Sequence, residues 1–280
     1  MDYLKVLGFQ LKVNLASDHL KEYLIVDKEY NTQMKESLKV IGQLNPDVII
    51  YPEMCYYEKY DSELIELSEN RLIIAGSVYE GNINTTIVYD NKVKKRIPKR
   101  YASGAEPMAR FIDGVEPDEF INKYLEEHTF VVNGKKIVVL NCMEYYFMAY
   151  YLARKFPDIF ALISPCSNSN QKVFVEESAA LHNHNENIFS FVVNCVSEYN
   201  NKSYAKGESY VYGPIQHHEK EWLESEGIVN DKHNASILTL DNEARYFYGE
   251  FKRDLVPYGR SDKYTNSPRK VLVKKLEEEK

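Results

Sequence analysis

Three residues far apart in the chain carry side chains that look like parts of one catalytic site: Cys142, Glu53 and Lys99. A thiol supplies the nucleophile, a carboxylate takes its proton, and an ammonium stabilises the negative charge that develops on the attacked group. Cysteine attacks as the thiolate, and an ordinary thiol is ionised only to a few per cent at neutral pH, so a catalytic cysteine needs a base or a cation beside it. No histidine lies close in sequence to these three positions. A papain-like Cys-His pairing is therefore disfavoured, and the carboxylate must do the work of the base.

Each of the three follows an apolar run or a strand. Residues 47–51, with Val48, Ile49 and Ile50, read as a buried strand that delivers Pro52-Glu53. Residues 137–140 form a second such run, followed at once by Asn141-Cys142-Met143-Glu144. A strand over 86–89 leads into the basic segment 94–100, which holds Lys99. A side chain just past a strand end is held firmly and can still be reached by a substrate. The rest of the chain keeps this rhythm. Strands are expected over 4–13, 71–79, 130–132, 136–140, 159–164, 188–196, 210–212 and 237–240, and helices over 20–44, 62–69, 146–156 and 175–186. Asn45-Pro46 is a helix stop. Asn133-Gly134 and the turn around Gly81 are hairpin signals, so the sheets must be mixed rather than purely parallel.

Composition bounds the function. The chain has 280 residues, 44% of them hydrophobic and 28% charged, ample for a packed core and unlike a disordered chain. No composition break marks a second domain, so one domain over 1–280 is expected, with a charged tail from about 262. The net charge of -7 disfavours nucleic acid and anionic membrane as partners. No secretory leader or spanning segment is read from the chain, which gives a cytoplasmic expectation. The four cysteines, Cys55, Cys142, Cys166 and Cys195, show no paired short spacing and read as free thiols, with all but Cys142 structural. His182 and His184 lack ligating neighbours, so no metal site is expected.

Taken in order along the chain, these blocks resemble the nitrilase superfamily of carbon–nitrogen hydrolases, whose signature is a Glu-Lys-Cys triad. Residues 47–53 resemble the family strand that ends in Pro-Glu, Ala75-Gly76-Ser77 with Asn84-Thr85 and Tyr89-Asp90 resembles its middle hairpin, and Leu140-Asn141-Cys142-Met143-Glu144 is similar to its nucleophile block. Lys99 precedes Gly104-Ala105-Glu106, similar to the family lysine and second glutamate, and keeps better register with Glu106 than the alternative, Lys95. Glu186-Asn187, Gly207-Glu208-Ser209 and Pro214 match later elements. The chain departs from many members at Asn183 and at Tyr145-Tyr146-Phe147, which bears on the substrate rather than on the triad.

The resemblance implies an α/β fold, a four-layer α-β-β-α sandwich with two mixed sheets, and a homodimer packed through helical faces. It implies a cysteine-dependent amidase-type hydrolase that cleaves a small amide, carbamoyl compound or nitrile through a thioester, with no cofactor. Cys142 would attack, Glu53 would act as base, and Lys99 with the Met143 N–H would hold the oxyanion. Glu106 would orient Lys99 or the water. The alternatives are a catalytically silent nitrilase-like binding or regulatory protein, and an acyltransferase in which an amine resolves the thioester.

Overall fold

The computed structural model describes residues 3–18, 21–100, 117–156, 158–167, 188–199, 202–213, 236–252 and 268–276. Its organisation follows from the two-residue period of strand side chains. β1 (Leu4–Gln10), β4 (Val48–Ile50) and β5 (Leu72–Glu80) run parallel to one another. Leu4, Val6, Val48, Ile50, Leu72 and Ile74 point into one apolar cluster, while Leu7, Phe9, Ile49, Tyr51, Ile73 and Ala75 point into another. Strands so apolar on both faces must be covered on both. On the outer side α1 (Lys28–Leu44) contributes Tyr30, Met34 and Ile41, and α2 (Asp61–Leu67) contributes Leu64.

The parallel trio is flanked by antiparallel strands. β6 (Ile83–Asp90) and β7 (Val93–Pro98) extend one side, and β16 (Arg245–Phe251) and β17 (Pro268–Lys275) extend the other, giving a seven-stranded sheet ordered β17-β16-β1-β4-β5-β6-β7. A six-stranded sheet repeats the plan. Its parallel trio is β9 (Lys135–Val139), β10 (Ile159–Cys166) and β11 (Phe189–Asn194), flanked by β8 (Thr129–Val132), β14 (Tyr210–Tyr212) and β15 (Ser236–Thr239) in the order β15-β14-β11-β10-β9-β8. Ile137, Val139, Ile163, Phe189, Phe191 and Val193 join the central cluster from this side. Val138, Leu140, Leu162 and Val192 face outward beneath α3 (Pro117–His128) and α4 (Met143–Lys155). The layers are thus helix, sheet, sheet, helix, as the resemblance implies.

A third sheet accompanies the two expected ones. The strand expected over 4–13 breaks at Leu11 into β1 and β2 (Lys12–Asp18), and the strand expected over 188–196 breaks at Cys195 into β11 and β12 (Val196–Tyr199). β2 and β12 pair in parallel, and with β3 (Lys21–Ile25) and β13 (Lys202–Lys206) they form a four-stranded sheet ordered β13-β12-β2-β3. One strand from each large sheet therefore runs on into a common small one.

Three further expectations are corrected. The helix expected over 20–44 begins only at Lys28, because Tyr23 and Ile25 are strand formers and Asp27 caps the helix by accepting the Tyr30 N–H at 2.8 Å. The basic segment 94–100 is mostly strand β7, entered by a two-residue turn in which Asn91 and Lys92 have φ of 49° and 66°. Much of the expected charged tail is edge strand β17, paired antiparallel to β16, with Val271 and Val273 on the central layer and Leu272 on the outer one. The helix expected over 175–186, Glu106, and residues 253–267 and 277–280 lie outside the described residues. No helix among the described residues is long and apolar enough to cross a membrane.

Candidate active site

The inner face of β6 changes character along its length. Val88 belongs to the central apolar cluster, but the next positions on that face, Thr86 and Asn84, are polar and buried. Polar groups taken from water must find partners there. They find them in residues from both large sheets, gathered where β4, β9 and β10 end.

Glu53 comes from β4. The Tyr51 N–H donates to the Ile74 carbonyl at 2.8 Å, after which Pro52 turns the chain and the Met54 N–H bonds Ser77 Oγ at 3.1 Å. β5 passes this turn so closely that a Cβ on Gly76, whose φ is +87°, would lie 2.4 Å from the Pro52 carbonyl oxygen. Only glycine fits there. The Glu53 side chain, 4% exposed, accepts from Asn84 Nδ2 at 2.8 Å and from Lys99 Nζ at 3.1 Å on Oε1, and from Ser167 Oγ at 2.8 Å on Oε2.

Lys99 lies one position past β7. Ile97 faces the central cluster, so Lys99, two residues on, projects to the same side, and its N–H donates to the Asn84 carbonyl at 2.8 Å. Its side chain is 3% exposed. The neighbouring cations take other partners: Lys94 pairs with Asp61, Lys95 with Asp90, Arg96 with Glu80 and Arg100 with Glu127. Lys95, the alternative to Lys99, is the half-exposed partner of a surface carboxylate.

Cys142 follows β9. The strand's pairing with β10 continues through the Leu140 N–H to the Ile163 carbonyl at 2.7 Å and the Cys142 N–H to the Pro165 carbonyl at 3.0 Å. Cys142 itself has φ 50° and ψ -109°, and Met143 begins α4 immediately after it. A non-glycine residue held so costs on the order of 1 to 3 kcal/mol and persists only where its surroundings fix it. Glu144 does the fixing. Fully buried, it accepts the Asn141 N–H at 2.9 Å on one oxygen and the Arg100 N–H at 2.6 Å on the other, tying the turn that holds Cys142 to the backbone beside Lys99. Asn141 Nδ2 donates to Thr86 Oγ1 at 2.8 Å, a second tie between the sheets.

The Cys142 thiol is pushed well above its ordinary pKa by a hydrogen bond with Cys166, by burial and by the negative charge of Glu53, against a downward pull from Lys99. One histidine approaches the site despite its distance in sequence. His128, the last residue of α3, lies 4.0 Å from Glu144, with its Nδ1 2.7 Å from the Val139 carbonyl.

The structure thus brings Glu53 and Lys99 into contact and places Cys142 within electrostatic reach of both, with Met143 at the first turn of α4. Sequence reasoning assigns no role to Asn84, Thr86, Asn141, Glu144 or Ser167. The signal available for the first two is a polar pair on alternate positions of a strand otherwise buried.

No family model matches the sequence, and no curated protein does. Solved structures do. Saccharomyces cerevisiae Nit3, a member of branch 10 of the nitrilase superfamily, is similar with a TM-score of 0.55 at 15% identity, over 89% of this chain and 90% of that one. A carbon–nitrogen hydrolase from Helicobacter pylori gives 0.55 at 11% identity, over 89% of each chain. A mutant of the amidase from Nesterenkonia sp. AN1, showing covalent addition of the acetamide moiety of fluoroacetamide at its active-site cysteine, gives 0.57 at 12% identity, over 90% and 91%. The chain has the fold of the nitrilase superfamily.

Proposed function

We propose that the chain is a cysteine-dependent carbon–nitrogen hydrolase of the amidase type, acting on a small amide, carbamoyl compound or nitrile. The observation that carries this reading is the buried Glu53–Lys99 pair, 3.1 Å apart, beside a cysteine held at positive φ on the start of a helix. A structural cysteine needs neither. The amidase of the same fold that takes an acetamide moiety on its active-site cysteine supports the same chemistry here.

In this mechanism Cys142 attacks the amide carbon as its proton passes to Glu53. Oε1 accepts from two donors, one of them cationic, whereas Oε2 accepts from the neutral Ser167 hydroxyl, so Oε2 is the better proton acceptor. The oxyanion forms between Lys99 and the Met143 N–H, each donor being worth about 3 to 4 kcal/mol when water is excluded. Glu53 returns the proton to the departing ammonia or amine. Water then opens the thioester with the same carboxylate as base. Glu106 would orient Lys99 or this water. Paired copies of the chain meeting through helical faces complete the proposed assembly, which sedimentation tests.

The test of function is a panel of small amides assayed for ammonia release, with iodoacetamide labelling located by mass spectrometry. Substrate-protected labelling at Cys142 together with ammonia release is the expected result, and in Glu53→Gln and Lys99→Ala the ammonia release and the protection by substrate are lost. Uniformly slow labelling of all four thiols without ammonia release sinks the hydrolase and favours a silent binding protein. Capture of the acyl group by an added amine in preference to water would instead identify a transferase.

A further inference from the structure

Beside Cys142 lies a second thiol that amide hydrolysis does not use. Cys166 closes β10, and the pairing of Val138 with Leu162 and of Val139 with Ile163 runs on past β9 through the Cys142 N–H to the Pro165 carbonyl. The same offset carried forward sets Cys142 opposite Cys166. Both side chains enter the outward-facing cluster beneath α4, 6% and 1% exposed, and Cys166 is near enough to help raise the pKa of the Cys142 thiol. Neighbouring strands lie about 4.8 Å apart, inside the Cα separation of roughly 4.4 to 6.8 Å that a disulfide spans. The remaining free thiols, Cys55 and Cys195, belong to the cluster on the far face of the other large sheet.

We propose that Cys142 and Cys166 form a reversible disulfide when the protein meets a peroxide, with Cys166 as the resolving thiol that switches the nucleophile off and spares it from irreversible oxidation. The atoms balance in two steps. The Cys142 sulfur attacks one peroxide oxygen, the O–O bond breaks, and the thiol becomes a sulfenic acid while peroxide is reduced to water. The Cys166 sulfur then attacks the sulfenic sulfur, the S–O bond breaks, and hydroxide leaves with the Cys166 proton as a second water. Glu53 is the nearby base for the first proton, as it is for hydrolysis. The link costs Cys166 only its weak contacts with Ser164, 3.4 Å to the hydroxyl and 3.8 Å to the carbonyl. Forming the bond stands on the strand register alone, and only its inhibitory consequence rests on the hydrolase reading.

The test treats the full-length protein with hydrogen peroxide, then maps its peptides without reduction. Wild type is expected to lose about 2 Da, to yield a Cys142–Cys166 linked peptide, and to recover its mass and alkylation on treatment with a dithiol. Cys166→Ser, with Cys166→Ala as a second variant should serine disturb the strand, is expected to gain about 32 Da at Cys142 that no dithiol reverses. An unlinked, irreversibly oxidised Cys142 in wild type overturns the inference, and so does a link between any other pair. Ammonia release measured in parallel separates the two readings. Peroxide inhibition of a working hydrolase without the linked peptide sinks this inference alone, whereas a linked peptide in a protein that releases no ammonia sinks only the hydrolase.

Discussion

Replacing Lys99 by methionine keeps most of the side chain's volume and removes its charge. The carboxylate left behind is 4% exposed, so water cannot take the ammonium's place without opening the layer between the sheets. Breaking a buried ion pair from one side costs about 3 to 5 kcal/mol, because the surviving charge stays desolvated. Glu53 keeps two neutral donors, Asn84 and Ser167, each at 2.8 Å, which offset part of that loss and set the expected cost near the lower bound, about 3 kcal/mol. Adding Glu53→Gln removes the stranded charge, so the double variant should regain at least about 1 kcal/mol relative to Lys99→Met. Urea unfolding followed by circular dichroism measures all three, with the denaturant slope checked for constancy. A Lys99→Met penalty below about 1 kcal/mol, or a double variant less stable than the single one, would refute the claim that a buried charge pair lies at this site. On the proposed mechanism, ammonia release should vanish in both, for loss of the oxyanion donor in one and of the base as well in the other.

Three other outcomes are expected on the same physical grounds. Glu144→Ala should cost about 2 to 4 kcal/mol and, on the proposed mechanism, lower kcat more than it raises KM, since the lost bonds to the Asn141 and Arg100 N–H groups position Cys142 rather than touch substrate; Glu144→Gln, retaining an acceptor oxygen, should be milder in both kinetics and urea unfolding. Iodoacetamide labelling of Cys142 should still be rising with pH above 9, the ordinary thiol value, and should slow in Lys99→Ala, which removes the group that pulls the thiol pKa down, but quicken in Cys166→Ala, which removes the hydrogen bond that pushes it up. Burial alone would raise the Asp61 carboxyl, but hydrogen bonds from Lys94, Tyr89 and Tyr56 outweigh it and hold the group below 3.8. A carboxyl depressed in the folded state contributes stability above its unfolded value and loses it as pH falls through the folded one. The destabilisation by Asp61→Asn, roughly 1 to 3 kcal/mol at pH 7, should therefore shrink below pH 4 in urea titrations.

Burial on both faces of a strand leaves an unmistakable apolar run, and this made much of the fold legible. Val48-Ile49-Ile50 and Ile137-Val138-Val139-Leu140 declare their strands, so Glu53 and Cys142, just beyond them, had to emerge at a sheet's end. Asn133-Gly134 fixes its hairpin, with φ of 49° and 73°. The stretch before α1 deceives because Leu20, Tyr23 and Leu24 also suit a helical period, and it takes the pairing of β3 with β2 and the capping bond of Asp27 to show where the helix starts. Glu144 and Ser167 stay hidden for a different reason. Their partners, Arg100 and Glu53, come from distant segments, and no local pattern reveals which carboxylate or hydroxyl a fold will bury against them. Lys99 is separated from Lys95 only by partner, since both stand on odd positions of one strand and its continuation.

The small sheet made from prolongations of β1 and β11 acts as a suture between the halves of the sandwich. It lies at the rim where Glu53 and Cys142 emerge, and Ser167 touches both Glu53 and, at 3.4 Å, Glu22 of β3. Halves stitched at that rim cannot gape there to admit a molecule. Amide protons of β2 and β12 should therefore be among the last to exchange with deuterated water.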